Sequence, residues 1–163
     1  MKIDYAEKAR QYLDDGFCVI PEVLKQPLLD ELREVTDRLI DGLPEAHLKE
    51  QRSTGSMISV NADPALAPIV ALPEAFDVMH KMGFSDIRFS SGYVISKPPH
   101  SPPLFWHFDW MGWEHPASYE RGALQTFFMY YLTDTTRENG CLRVLPRSHI
   151  EEHPLHALAH EAH

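Results

Sequence analysis

Cysteine is scarce in this chain, whose 163 residues include only Cys18 and Cys141. Two cysteines provide neither a disulfide framework nor a cysteine cluster for a structural metal. No apolar run approaches the ~20 residues that a membrane-spanning helix needs. The first residues also lack the apolar core of a signal peptide. We therefore expect a protein of the reducing cytoplasm.

Basic residues are few as well, because 15 Lys and Arg face 24 Asp and Glu, which gives a formal net charge of -9. This balance argues against nucleic acid and against an anionic membrane surface as partners. Hydrophobic residues make up 44% and charged residues 24%, which is a globular composition. The length suits one domain with a sizeable core, and no repeat or low-complexity linker divides it. A small-molecule substrate is the partner that we expect.

Helical patterns dominate residues 1–84, which we expect to form a mainly helical part of the single domain. Asp4 as an N-cap and Gly16 as a stop signal bound a helix that ends at Asp15. Phe17–Ile20 then reads as a short apolar strand. Apolar residues recur at spacings of three and four over Gln26–Asp41, which predicts an amphipathic helix. A further helix is expected from about residue 73 to 81.

After Gly83 the pattern changes to that of β-strands. Apolar residues alternate over 86–97, and 123–132 is almost continuously apolar and aromatic, as in a strand buried on both faces. Asn139 and Gly140 form a strong turn signal, and 141–145 reads as the returning strand. The sequence thus predicts an α+β protein in which helices cover the start of a β-sandwich or barrel formed by residues 85–163.

Aromatic residues surround a histidine and a carboxylate in the middle of the chain. Residues i and i+2 of an extended strand project from the same face. His107 and Asp109 are therefore expected to share one space, while Trp106, Phe108 and Trp110 line the opposite side or the rim. An imidazole and a carboxylate are two of the three ligands of a 2-His-1-carboxylate iron(II) face. The alternative is a core His107 held by Asp109 among packed tryptophans.

Two further features favour the metal interpretation. A proline-rich loop at 97–103 precedes the pair and would place it at the mouth of a barrel, where ligand sites occur. Downstream, the hairpin at 139–145 is expected to close against the buried aromatic strand. This is the layout of a double-stranded β-helix.

Residues 93–149 resemble the phytanoyl-CoA dioxygenase family of iron(II)- and 2-oxoglutarate-dependent oxygenases. The resemblance is carried by Lys97-Pro98-Pro99, by Trp106-His107-Phe108-Asp109, and by the Asn-Gly-Cys-Leu turn with its Pro-x-Ser-His ending at 139–149. Residues 16–21, followed by an amphipathic helix, also look like the opening of that family. The fold implied is a double-stranded β-helix, also called a jelly-roll or cupin-like fold, with N-terminal helices.

The resemblance implies that His107 and Asp109 hold Fe(2+), with 2-oxoglutarate chelating the metal beside them. Tyr93 and Lys97 match positions that contact this cosubstrate, and the Lys97 ammonium can neutralise one of its carboxylates. Met129 matches another lining position. For Tyr93 and Met129, ordinary core packing is an equally good interpretation.

The implied reaction uses O2 to decarboxylate 2-oxoglutarate to succinate and hydroxylates a small organic substrate. Phe108, Trp110 and Trp113 are expected to shape the substrate side, since aromatic side chains near an oxidising metal also exclude water. The acidic surface favours apolar or zwitterionic metabolites over highly anionic ones.

The chain departs from the family after the Pro-x-Ser-His loop. The family's second iron histidine and its 2-oxoglutarate arginine lie on later strands, so we expect a truncated product or fragment with little turnover. The missing strands would leave unpaired edges open to self-association. A non-catalytic ligand-binding module and a half-barrel completed by a partner are the alternatives. Five late histidines are available but are not expected to ligate iron: His149, His153, His156, His160 and His163.

Overall fold

A computed structural model describes residues 2–109, 116, 122 and 125–160 of the chain. The chain forms two compact units, unit 1 from residues 1–21 with 105–163 and unit 2 from residues 22–104. The expected division into a helical part and a β part at residue 84 stays a prediction.

The described residues form six α-helices and two short strands. In chain order they are α1 (Tyr5–Asp15), α2 (Gln26–Asp41), α3 (Glu45–Glu50), β1 (Ile58–Ser59), α4 (Ala67–Val70), α5 (Pro73–Lys81), β2 (Tyr93–Val94) and α6 (Leu155–His160). None of these helices is both long and apolar enough to cross a bilayer.

The predicted ends of α1 are confirmed. The Asp4 carboxylate accepts a hydrogen bond from the Glu7 backbone N–H at 3.1 Å, which satisfies one of the free donors of the first turn. Gly16 follows the helix in the left-handed conformation, with φ of 86°. Its N–H donates to the Tyr12 carbonyl at 2.9 Å, as is usual for a glycine that ends a helix.

The Pro-x-Ser-His loop of unit 1 lies against the C-terminal end of α1. The Arg147 N–H donates to the Asp15 carbonyl at 2.9 Å. The His149 imidazole donates through Nε2 to the Leu13 carbonyl, also at 2.9 Å. Both acceptors belong to the last turn of α1, whose carbonyls have no partner inside the helix. The loop therefore completes the end of this helix.

A short antiparallel pair organises part of unit 2. Ile58 of β1 pairs with Val94 of β2, and Ser59 pairs with Tyr93. Just before β1, the buried Ser56 hydroxyl donates to the Val94 carbonyl at 2.6 Å and accepts from the Ser96 N–H at 3.0 Å. This serine extends the pairing beyond the two-residue strands.

Every buried apolar side chain among the described residues lies in unit 2. Leu32 of α2 and Leu66 are each 1% exposed. The predicted apolar stripe of α2 thus contributes Leu32 to this core. The other members are Ile58, Leu72, Ala75, Val78, Met79 and Met82, most of them on or next to α5.

Three predicted strands are wrong within the described residues, since 17–20, 125–132 and 141–145 are not assigned to strands. A strand needs a neighbouring strand to pair with, and among the described residues no strand is paired with any of these segments. The prediction of burial on both faces is also wrong, because Phe127 and Met129 are 53% and 57% exposed. The predicted turn is confirmed, with the Cys141 N–H donating to the Thr136 carbonyl at 2.9 Å.

Candidate metal and cosubstrate site

The segment 105–109 of unit 1 alternates in exposure, as expected for an extended chain. Phe105, His107 and Asp109 are exposed, whereas Trp106 and Phe108 are half-buried. The His107 Nε2 atom lies 3.7 Å from Asp109 Oδ1. The structure therefore brings the predicted histidine and carboxylate together on one face.

The orientation of the His107 ring is fixed by its own segment. Its Nδ1 atom lies 3.0 Å from the Phe105 carbonyl oxygen. A carbonyl can only accept, so Nδ1 carries the proton and the neutral ring keeps its lone pair on Nε2. The Phe105 ring lies edge-on to the imidazole, with 5.6 Å between centroids. The lone pair of His107 thus faces the side on which Asp109 lies.

The donor atoms of this pair fit a divalent metal ion. A separation of 3.7 Å is too long for a hydrogen bond. Two donors bound to one ion at about 2.1 Å each can be up to about 4.2 Å apart, so both atoms can reach a common ion. Side-chain exposures of 33% for His107 and 55% for Asp109 leave room for other ligands. Two facing electron-pair donors also attract a cation between them.

Within the part of the chain that the structure describes, no third protein ligand lies beside the pair. Among the described residues, no group of three or more His, Cys, Asp and Glu side chains could hold a metal ion. The pair therefore has the residue types of two of the three ligands of a 2-His-1-carboxylate face, and iron binding by it stays a prediction.

Two of the three predicted cosubstrate residues, Tyr93 and Lys97, lie in unit 2. Tyr93, Ile95 and Lys97 are exposed while Val94 and Ser96 are half-buried, so Tyr93 and Lys97 share one face of an extended segment. The Lys97 ammonium donates to the Pro102 carbonyl at 2.8 Å. This contact holds the amine over the proline loop. Their role toward 2-oxoglutarate stays a prediction.

The other predicted site residues belong to unit 1. The half-buried Phe108 ring lies edge-on to the His156 ring, with 5.2 Å between centroids. Met129 is exposed, as are the two residues before it, Phe127 and Phe128. The predictions for Trp110 and Trp113 fall outside the described residues.

Sequence reasoning missed three residues next to the pair. Phe105 could have been found, since it precedes His107 by two positions and so shares its face. Arg143 and His156 could not, because they meet Trp106 and Phe108 across more than thirty residues of sequence. The Arg143 guanidinium carbon lies 5.1 Å from the centre of the Trp106 ring.

Comparison with known proteins gives a family and a distant relative. The family model described as "Phytanoyl-CoA dioxygenase (PhyH)" matches residues 12–162. A curated protein of Stutzerimonas stutzeri, named "Probable alpha-ketoglutarate-dependent hypophosphite dioxygenase", is 25% identical over 160 residues. That match covers 89% of this chain and 54% of the relative, so the chain spans about half the length of the curated protein. No solved structure matches. The resemblance predicted from the motifs is confirmed, and the chain belongs to the phytanoyl-CoA dioxygenase family.

Proposed function

We propose that this chain supplies the first two iron ligands of an iron(II)- and 2-oxoglutarate-dependent dioxygenase. The observation that carries the proposal is the His107–Asp109 pair, whose donor atoms are 3.7 Å apart. Both residues lie within the part of the chain that the family model matches. His107 would bind through Nε2, since its Nδ1 proton is directed to the Phe105 carbonyl. A backbone acceptor at the second nitrogen is the usual way in which a protein orients a metal-bound imidazole.

Bound iron(II) would supply the activation of O2, by which one oxygen atom enters the succinate formed from 2-oxoglutarate and the other hydroxylates the substrate. The protein's own groups bind and orient. Lys97 would attract a carboxylate of the dianionic cosubstrate, and Tyr93 on the same exposed face would contact it. Phe105, which lies on the same face as the pair, would exclude water from one side of it.

The finer fold that we propose is the double-stranded β-helix implied by the family. Two features support it: the antiparallel pairing of β1 with β2, and the turn that contains Asn139 and Gly140. In this arrangement, Met129 would lie on a strand that lines the cosubstrate pocket.

The substrate that we propose is a small organic molecule, rather than a nucleic acid or a membrane. The acidic composition supports this choice. The name of the Stutzerimonas stutzeri relative adds hypophosphite as a second candidate. We also propose a cytoplasmic location, which the free thiols of Cys18 and Cys141 support.

The test is the metal-to-cosubstrate charge-transfer absorption that appears when iron(II) and 2-oxoglutarate bind together under anaerobic conditions. We expect a weak band for the protein, and no band for His107→Ala or Asp109→Ala. His80→Ala is the matched control, since His80 is an exposed histidine of α5. Equal bands for the protein and for His107→Ala would remove the metal assignment. Succinate release with hypophosphite and with organic candidates would then separate the two substrate classes.

A second candidate function is a half-barrel completed by another copy of the chain. The exposed apolar side chains of unit 1 favour it, since a second copy of the chain could cover them. They are Phe127, Phe128, Met129, Tyr131, Leu142 and Val144. Light scattering is expected to show a concentration-dependent dimer that Met129→Lys weakens, whereas a monomer at all concentrations would exclude this candidate.

A further inference from the structure

The side chains that alternate with the His107–Asp109 pair each contact a residue from a distant part of unit 1. The Arg143 guanidinium carbon lies 5.1 Å from the centre of the Trp106 ring. The ring of His156, from α6, lies 5.2 Å from that of Phe108, at an interplanar angle of 60°. We call these two contacts the rear contacts, because Trp106 and Phe108 project away from the face of the pair.

The rear contacts matter because the segment 105–109 has no paired strand among the described residues. Without ladder hydrogen bonds, an extended backbone is held mainly by its side chains. In such a segment, fixing Trp106 and Phe108 on one side also fixes the directions of His107 and Asp109 on the other.

Arg143 is well suited to hold the Trp106 ring. It is exposed, and among the described residues it has no carboxylate partner that would draw the guanidinium away. A guanidinium within about 6 Å of an indole centre is attracted by the negative face of the ring. The contact therefore needs both the positive charge and the length of the side chain.

The His156 ring is itself hydrogen-bonded to the backbone just before α6. The His153 backbone N–H donates to His156 Nδ1 at 3.2 Å. The other nitrogen, Nε2, is buried without a hydrogen-bond partner among the described residues. An edge-on contact between rings arises from the positive edge of one ring and the negative face of the other, which a phenyl ring also has. His156→Phe is therefore expected to keep the contact with Phe108.

We propose that Arg143 and His156 are positioning residues, which hold the 105–109 segment so that His107 and Asp109 meet one metal ion. The inference rests on the proposed function. If the contacts are lost, the segment spends less time in the competent conformation, and the apparent dissociation constant rises by the inverse of that fraction. An exposed cation–π contact corresponds to a factor of about 2 to 5 in affinity.

The experiment is a Co(II) titration of the full chain, followed by the visible d–d absorption of the bound ion. We expect Arg143→Met to weaken binding about 2- to 5-fold, and Arg143→Lys, which keeps a cation, to restore most of the affinity. His156→Ala is expected to weaken binding, whereas His156→Phe keeps the ring and is expected to bind as the unaltered protein does. Arg137→Met is the matched control, since Arg137 is exposed and has no ring contact with the described residues.

The outcomes separate this inference from the proposed function. One outcome would keep the iron site and overturn the positioning role. In it, His107→Ala abolishes Co(II) binding, whereas Arg143→Met and His156→Ala leave the binding unchanged. A loss in His156→Phe as large as in His107→Ala would make His156 a ligand and also overturn it. The absence of any binding by the unaltered protein would overturn both. Unchanged far-UV circular dichroism of Arg143→Met, with recovery in Arg143→Lys, would assign the loss to positioning and not to unfolding.

Discussion

The contact of His149 with the end of α1 gives a prediction for stability. His149→Ala removes the donor to the Leu13 carbonyl, which lies 2.9 Å from Nε2. A hydrogen bond of this kind contributes about 1 kcal/mol net. The free energy of unfolding is therefore expected to fall by about 1 kcal/mol, and the melting temperature by about 2–4 °C for a chain of this size.

A variant at Gly16 tests the same contact with His149 from the other side. Its φ is 86°, and a Cβ added there would lie 2.7 Å from His149 Nδ1. Gly16→Ala therefore carries two costs, the left-handed backbone at about 1–2 kcal/mol and the contact with the imidazole. Only the second cost disappears when His149 is absent. The double variant is thus expected to be more stable than the sum of the single changes predicts, by about 1 kcal/mol.

The assay is urea unfolding followed by far-UV circular dichroism, with the four proteins of the double-mutant cycle measured side by side. His80→Ala on α5 is the control for loss of an exposed histidine, and it is expected to leave the unfolding midpoint unchanged. Additive effects of Gly16→Ala and His149→Ala would refute the contact between the Pro-x-Ser-His loop and α1.

Three further predictions concern buried and titrating groups. Ser56→Ala is expected to cost about 1–3 kcal/mol in urea unfolding, because it removes the buried hydroxyl that accepts from the Ser96 backbone N–H and donates to the Val94 carbonyl. A backbone N–H and the Arg38 guanidinium lower the pKa of the Asp63 carboxyl. Its contribution to the stability of the fold is therefore present above the unfolded pKa of about 3.9, and it is lost as the pH falls through the folded pKa. Asp63→Asn should flatten the acid limb of a stability–pH curve, and an unchanged curve would contradict this. Burial raises the pKa of Tyr130 to about 12, so stability is expected to fall as the pH rises from about 10 to that value. When tyrosinate absorbance is followed as the pH is raised, the step at the highest pH should be absent in Tyr130→Phe.

The helix ends were predictable because their signals are local. Asp4, Gly16 and the prolines at the starts of α2 and α5 act within one turn of the helix that they bound. The short helix α3 was missed, since it has neither a side-chain N-cap nor an apolar stripe.

The strands were predicted less well because a strand depends on a partner. Alternation correctly predicted which side chains share a face over 93–97 and 105–109. It could not predict whether another segment pairs with 125–132 or 141–145. For the same reason, the closeness of His107 and Asp109 could be predicted from the sequence, since it depends only on their spacing in an extended segment. The contacts of Arg143 and His156 could not, because they depend on tertiary structure.

The central claim is that His107 and Asp109 bind one iron(II) ion through His107 Nε2 and the Asp109 carboxylate. Anaerobic equilibrium dialysis with iron(II), measured on the protein and on the double variant His107→Ala/Asp109→Ala, tests it most directly. We expect saturation at one ion per chain for the protein, and no saturable binding for the double variant. Equal saturation of both proteins would contradict the claim.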